Sequence, residues 1–416
     1  MEILFENVNF KQTVLKNTFW LYLGNFISKV IKFLIIILSA RYLGPENYGN
    51  FSYILAIIGI FFSFVDWGSG SLTIRDYQLV SDKRKLFNSF ISFRLILLLI
   101  SLFFIFSIFL LFKDFHSRLI ALIIFIFTFI SHLKYIITNI FQALKKMEYD
   151  GLSFIIENFS IFIFVVFLVR NFPDSFYLSL SYLIGIVISL IYCLFIFSKF
   201  FRLKDLHFVS DYFKYFLING TPLLFFGILG FIFFSTDQIV LGYLRGSEEV
   251  GYYSLASKII INLNLIISLF LASFLPNFSE IRDNKQRVLG ILNKVLIYNF
   301  LIYFILITIL ILIPKNLLIF ILGDNYAFTI DLLKFLAPFI LLLSNITILD
   351  NILFVYNQQW NNFFITSICA LLNLILNLIL IPNYGGYGAG LATYISQLLN
   401  LILSFYLIRK IIFNRI

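Results

Sequence analysis

Seven basic residues lie inside stretches that are otherwise apolar: Lys29, Lys32, Arg94, Lys134, Lys258, Lys294 and Lys334. Four acidic residues, Asp66, Glu157, Asp237 and Asp350, sit nearer the ends of such stretches. A charge held in an apolar run is costly and turns toward a protein interior, trapped water or a partner. Lys29 and Lys32 are three residues apart and share a helical face, and Asn25 and Ser28 extend it as a polar stripe. Ser254, Lys258 and Asn262 repeat the pattern at spacing i, i+4, i+8. Lys29, Lys32, Lys258, Asn25 and Asn262 are therefore the candidate substrate-binding residues, lining a cationic cavity. The bland alternative is a set of buried ion pairs that join helices. Arg94, Lys134, Lys294 and Lys334 fall about 8–10 Å from a span end, where a long side chain is predicted to reach back to the surface. Asp237, Glu157 and Asp66 are the candidate coupling residues, because a carboxylate in a low-dielectric site changes charge state with its neighbours. Pro222 is the candidate gating bend, with Pro338, Gly220, Gly227 and Gly230 as further kink positions.

Other chemistries lack their residues. His116, His132 and His207 are scattered, with no HExxH, so neither a catalytic site nor a metal site is expected. Cys193 and Cys369 lie alone in apolar stretches and read as small buried hydrophobes. Gly386, Gly388 and Gly390 form a GxGxG fragment with no strand before it. No cofactor is expected.

The elements that carry these residues follow from composition. The 416 residues are 61% hydrophobic and only 12% charged, with mean hydropathy +0.98, whereas a soluble domain has about 25% charged residues. The bilayer must be the solvent, and backbone satisfaction in lipid makes runs this long helical. Twelve spans are predicted, near 17–40, 47–67, 87–112, 118–142, 152–170, 175–198, 212–242, 250–275, 288–313, 328–356, 360–381 and 388–411. The net charge of +10 belongs mostly to connections and orients the chain, with no nucleic-acid partner implied. Lys and Arg in alternate connections divide 18 to 6, which places both termini in the cytoplasm. The basic stretch 199–212 falls at the midpoint, so residues 1–198 and 213–416 read as two six-helix lobes joined by a linker.

An internal repeat supports two lobes. Shifting the chain by 202 residues superposes Gly44, Glu46, Gly49, Phe51 and Ser52 on Gly246, Glu248, Gly251, Tyr253 and Ser254. Six spans separate the copies, so they share an orientation, as in parallel transporter repeats with a cavity between halves. The alternative is convergent turn chemistry.

Arg41-Tyr42-Leu43-Gly44-Pro45-Glu46-Asn47-Tyr48-Gly49 resembles the polysaccharide transporters of the multidrug/oligosaccharidyl-lipid/polysaccharide (MOP) exporter superfamily. Asp237-Gln238-Ile239-Val240-Leu241-Gly242 with Val250-Gly251-Tyr252-Tyr253-Ser254-Leu255-Ala256, and the weaker stretch from Ile381 to Thr393, resemble the same family. The likeness is strongest to O-antigen and capsule repeat-unit flippases of the Wzx type. It implies an all-α polytopic fold of twelve transmembrane helices in two six-helix lobes with a central cavity, in a bacterial inner membrane. It also implies an undecaprenyl-diphosphate-linked glycan as cargo, protons or Na+ as coupling ion, and membrane lipids and glycan polymerase machinery as partners. Lysines would attract the diphosphate, and span asparagines such as Asn219, Asn264, Asn373, Asn377 and Asn400 would bond the glycan. Two alternatives stay open: a cation-coupled multidrug exporter on the same fold, which would want an acidic cavity, and a membrane-embedded glycan polymerase, which would want a large external loop.

Overall fold

The computed structural model describes residues 10–272, 285–356 and 358–413. The last residues of the span expected over 250–275, and Arg282 and Arg415 of the topology count, lie outside them. Among the described residues there is no strand.

The helices are α1 Phe10–Phe62, α2 Ser69–Asp76, α3 Lys83–Ser101, α4 Ile105–Leu111, α5 Phe115–Ala143, α6 Met147–Phe164, α7 Ser175–Phe200, α8 Phe213–Leu244, α9 Ser247–Ala272, α10 Lys285–Leu312, α11 Lys315–Leu322, α12 Ala327–Leu336, α13 Phe339–Val355 and α14 Gln359–Phe413. Among the described residues eight helices are long and apolar enough to cross a membrane, or nine with the bent pair α12–α13. Breaks at Gly44 and Gly385 turn α1 and α14 into two arms each, which makes eleven crossings among the described residues; α9 holds the described part of the twelfth expected span, 250–275, and is not among those eight. The chain is a multi-pass membrane protein.

Helix ends follow local chemistry. Asp82, Asp114 and Asp174 each accept a backbone N–H from the first turn of α3, α5 and α7, relieving the unpaired donors there. The 46° bend between α12 and α13 falls at Pro338, as the missing N–H of proline dictates. Pro222 behaves differently. α8 continues through it as one helix, and the neighbouring Thr221 hydroxyl bonds the Leu217 carbonyl.

Packing divides the chain into two compact units. Unit 1 comprises Met1–Leu43 and Tyr53–Phe231; unit 2 comprises Gly44–Ser52 and Ile232–Ile416. The partition therefore falls inside α8, after the stretch expected as a linker. That stretch lies along α3 within unit 1: Val209 N–H donates to Ser92 Oγ (3.2 Å), Tyr212 N–H to Ser89 Oγ (3.1 Å), and Asn88 Nδ2 to the Asp205 carbonyl (3.2 Å).

Candidate functional site

In unit 1 the deep charges are mostly neutralised. Arg94, 1% exposed, pairs with Asp66 and donates from Nη1 to the Val65 carbonyl (3.1 Å). Lys134, fully buried, pairs with Glu157 and lies over the Phe154 ring, 4.2 Å from its centroid. Lys16, counted with the cytoplasmic connections, is buried inside α1 against Glu148 (2.9 Å). The expectation that Arg94 and Lys134 reach back to the membrane surface is thus corrected. Each finds a carboxylate on another segment at its own depth, which costs less than bending an alkyl stem toward water. Asp66 and Glu157, expected as coupling candidates, sit in these pairs. Lys294 is exposed, and Lys334 donates to the Ile313 carbonyl (3.1 Å).

Lys29 and Lys32 stand apart. Lys29 is half-buried, Lys32 is exposed, and among the described residues neither makes an ion pair. Their spacing brings the two ammoniums onto one face. Asn25, one turn before, spends its amide on the Leu21 carbonyl (2.7 Å).

Unit 2 solves the same problem with neutral groups. Asp237 is 4% exposed. Its Oδ1 accepts from Asn377 Nδ2 (2.6 Å), and its Oδ2 from Thr393 Oγ1 (2.8 Å) and from the Tyr253 hydroxyl. Asn377 Nδ2 also donates to Asn373 Oδ1 (3.0 Å), while Asn377 Oδ1 is buried with no donor among the described residues. A recess of about 20 Å³ adjoins the carboxylate, lined in part by Phe233, Ser257, Ile261 and Phe339. That is room for a water or a small ion, and far too little for a sugar. The set of carboxylate, amide and hydroxyl oxygens suits a hard monovalent cation or a proton.

Lys258 points its Nζ at Ser52 Oγ (2.9 Å) and the Tyr48 hydroxyl (3.4 Å), above the Tyr48 ring. Asn262 returns its amide to the Lys258 carbonyl (2.7 Å). Ser52 and Tyr48 belong to the first copy of the repeat and Lys258 follows the second, so this contact joins the two copies within unit 2.

The copies also meet through glycine. Gly44 and Gly246 occupy equivalent places and both have positive φ, 74° and 91°, a conformation natural to glycine. A Cβ on Gly49 would lie 1.7 Å from the Ser247 carbonyl oxygen, and one on Gly251 would lie 1.9 Å from that of Pro45. Subtracting the 202-residue shift makes these one contact seen from both sides. Such reciprocity marks a local pseudo-two-fold axis, which convergent turn chemistry would not produce.

The sequence singles out Asp237, and names Asn373 and Asn377 among the span asparagines, but does not join them. Tyr253 and Thr393 were missed as ligands, although both fall inside the stretches that carry the family resemblance. Of the asparagines expected to bond a glycan, Asn219 Nδ2 donates to its own helix at the Tyr215 carbonyl (3.1 Å), and Asn264 Oδ1 accepts from Tyr303 (2.7 Å).

Known proteins agree with this architecture. The family model described as "Polysaccharide biosynthesis protein" matches residues 14–282. The capsular polysaccharide biosynthesis protein CapF of Staphylococcus aureus is 25% identical over 413 residues, covering 96% of this chain and all of that protein. A putative protein of the Lsg locus of Haemophilus influenzae is 23% identical, covering 87% of this chain and 89% of its own length. Among solved structures, the lipid II flippase MurJ in an inward closed conformation superposes with TM-score 0.77 at 20% identity, covering 94% of this chain and 87% of that one. An inward-facing multidrug resistance MATE family transporter of the MOP superfamily gives 0.76 at 15% identity, covering 92% and 94%. At these identities the structures show the fold: all-helical, twelve-span and two-lobed.

Proposed function

We propose, from the premise that this chain belongs to the polysaccharide biosynthesis protein family, that it is a flippase for an undecaprenyl-diphosphate-linked oligosaccharide repeat unit. It carries that unit from the cytoplasmic to the outer leaflet of a bacterial inner membrane by alternating access between the lobes 1–198 and 213–416. It acts as a transporter and leaves the glycan's covalent structure unchanged.

The observation that carries this reading is the contrast within unit 1. Lys16, Arg94 and Lys134 each have a carboxylate, while Lys29 and Lys32 make no ion pair among the described residues. Two cations held inside a span without an opposite charge supply attraction for a passing anion. At 4 Å and an effective dielectric of about 20, one such charge pair gives about 4 kcal/mol, offsetting part of the cost of drawing a diphosphate out of water. Lys258 adds a third cation in unit 2. The lipid tail stays in the bilayer while the headgroup crosses. The Lys and Arg bias puts both termini in the cytoplasm, on the side where the repeat unit is loaded, and glycan polymerase machinery on the opposite face would receive it.

Asp237 is the coupling site in this scheme. Its neutral donors leave a formal negative charge to be balanced by a proton or Na+ in the adjoining recess. Binding and release of that ion would bias unit 2 between two arrangements. A multidrug exporter on this fold would call for an excess of acidic groups at the site, which the lysines oppose.

The test is translocation in reconstituted vesicles, read with a fluorescent undecaprenyl-diphosphate oligosaccharide. Lys29→Ala/Lys32→Ala should lower the initial rate about tenfold, the factor for ~1.4 kcal/mol, at normal protein levels, and Lys258→Ala should lower it less. Full rate in the triple variant would end the cationic-site account. A change in glycan size rather than sidedness would favour the polymerase reading.

A further inference from the structure

Unit 2 carries a second, larger opening that the transport scheme does not use. A trough of about 500 Å³ is walled by Leu296 and Phe300 of α10, Leu349 of α13, and Leu401 and Phe405 of the last helical arm, with Arg409 at one end. That volume is within the range of small-molecule sites. From Leu401 to Arg409 it runs about 12 Å along the helix axis, and Arg409 lies four residues before the end of α14 at Phe413. The trough therefore rises from inside the hydrocarbon toward the membrane surface at which the chain ends. Its polarity is graded. At the deeper level Asn345 Oδ1 is already taken by Asn299 Nδ2 (2.8 Å), and the remaining walls are aliphatic or aromatic. At the shallow end stand the Arg409 guanidinium and, one residue on, the exposed Lys410.

We propose that this trough binds an anionic glycerophospholipid, one acyl chain in the cleft and the phosphate at Arg409. An apolar cleft in a bilayer-embedded surface gains nothing from water, so a hydrocarbon chain fills it. A basic group between helices at the membrane surface selects for a charged headgroup, and a guanidinium matches phosphate geometry through paired N–H donors. Because the lipid would bridge α10, α13 and the last arm, its occupancy would stiffen this end of unit 2.

The experiment uses the full chain purified in detergent. Thermal midpoints are read with added phosphatidylglycerol, phosphatidylcholine or polyprenyl phosphate, and native mass spectrometry counts bound lipid. Phosphatidylglycerol should raise the midpoint by a few degrees more than phosphatidylcholine. Arg409→Gln should reduce the preference for the anionic lipid about fivefold, the factor for ~1 kcal/mol. Leu401→Trp, which fills the cleft, should abolish the stabilisation by both phospholipids, and a photoreactive phosphatidylglycerol should label the segment 401–409 in the unaltered chain. Equal stabilisation by the two phospholipids, an unchanged preference in Arg409→Gln, or stabilisation by polyprenyl phosphate alone would each overturn the proposal. If Leu401→Trp fails to purify as a single species, the labelling position and the Arg409→Gln preference still decide it.

Discussion

In unit 1 the buried cations Lys16, Arg94 and Lys134 meet carboxylates; in unit 2 the buried carboxylate of Asp237 meets an amide and hydroxyls. Lys134 with Glu157, Arg94 with Asp66 and Lys16 with Glu148 are matched pairs. Asp237 has Asn377, Thr393 and Tyr253. The difference matters because a matched pair has no charge left to offer a ligand, and removing either member strands the other. A carboxylate held by neutral donors has no fixed counter-charge, so an ion can come and go. In the proposed scheme unit 1 braces the Lys29–Lys32 face, and unit 2 is the half that responds to a cation.

The comparison breaks most readily at Lys134 and Glu157. Glu157→Gln should strand a buried ammonium and cost about 3–5 kcal/mol, seen as loss of folded protein in size-exclusion profiles. The apolar double change Lys134→Met/Glu157→Leu should restore most of the yield, since it removes both charges together. Recovery failing in the double variant would mean that the pair does more than neutralise.

A smaller effect is expected where unit 2 relies on close backbone approach. Gly251→Ala places a methyl group against the Pro45 carbonyl and should cost about 1–3 kcal/mol through overpacking, measured as a lower thermal midpoint. Gly290→Ala, with nothing within 4 Å of the added atom, should leave the midpoint unchanged or raise it slightly. Equal behaviour of the two variants would dissolve the reciprocal contact as a structural determinant.

The smallest stability change should come from Asp237→Asn. Hydroxyls of Thr393 and Tyr253 can turn to accept where they now donate, and no buried cation is left behind, so the cost should stay within about 1 kcal/mol. Transport should nevertheless lose its dependence on a cation gradient in vesicles. A collapse in stability comparable to that of Glu157→Gln would place Asp237 among the braces and remove the contrast between the units.

Much of the architecture could be read in the chain. Hydropathy placed the twelve crossings, and the Gly44 and Gly246 turns, with their matching neighbours, announced the repeat. Asp237 stood out from its stretch, and the bend at Pro338 followed from proline chemistry. Other readings went astray for a definite reason. Arg94 and Lys134 look alike in sequence to a lysine that snorkels, because distance to a span end says nothing about what lies alongside. Asp66, in the turn between α1 and α2, is 28 residues from Arg94, and Glu157, on α6, is 23 from Lys134 on α5.

What the amino-acid order determines unaided is the solvent and the helices, because burial in lipid depends on the local run of apolar side chains and on backbone bonds within one segment. Which charges are cancelled and which remain available is decided only when helices pack. That outcome depends on the rotation and depth of each helix against its neighbour, and a one-dimensional sequence carries neither.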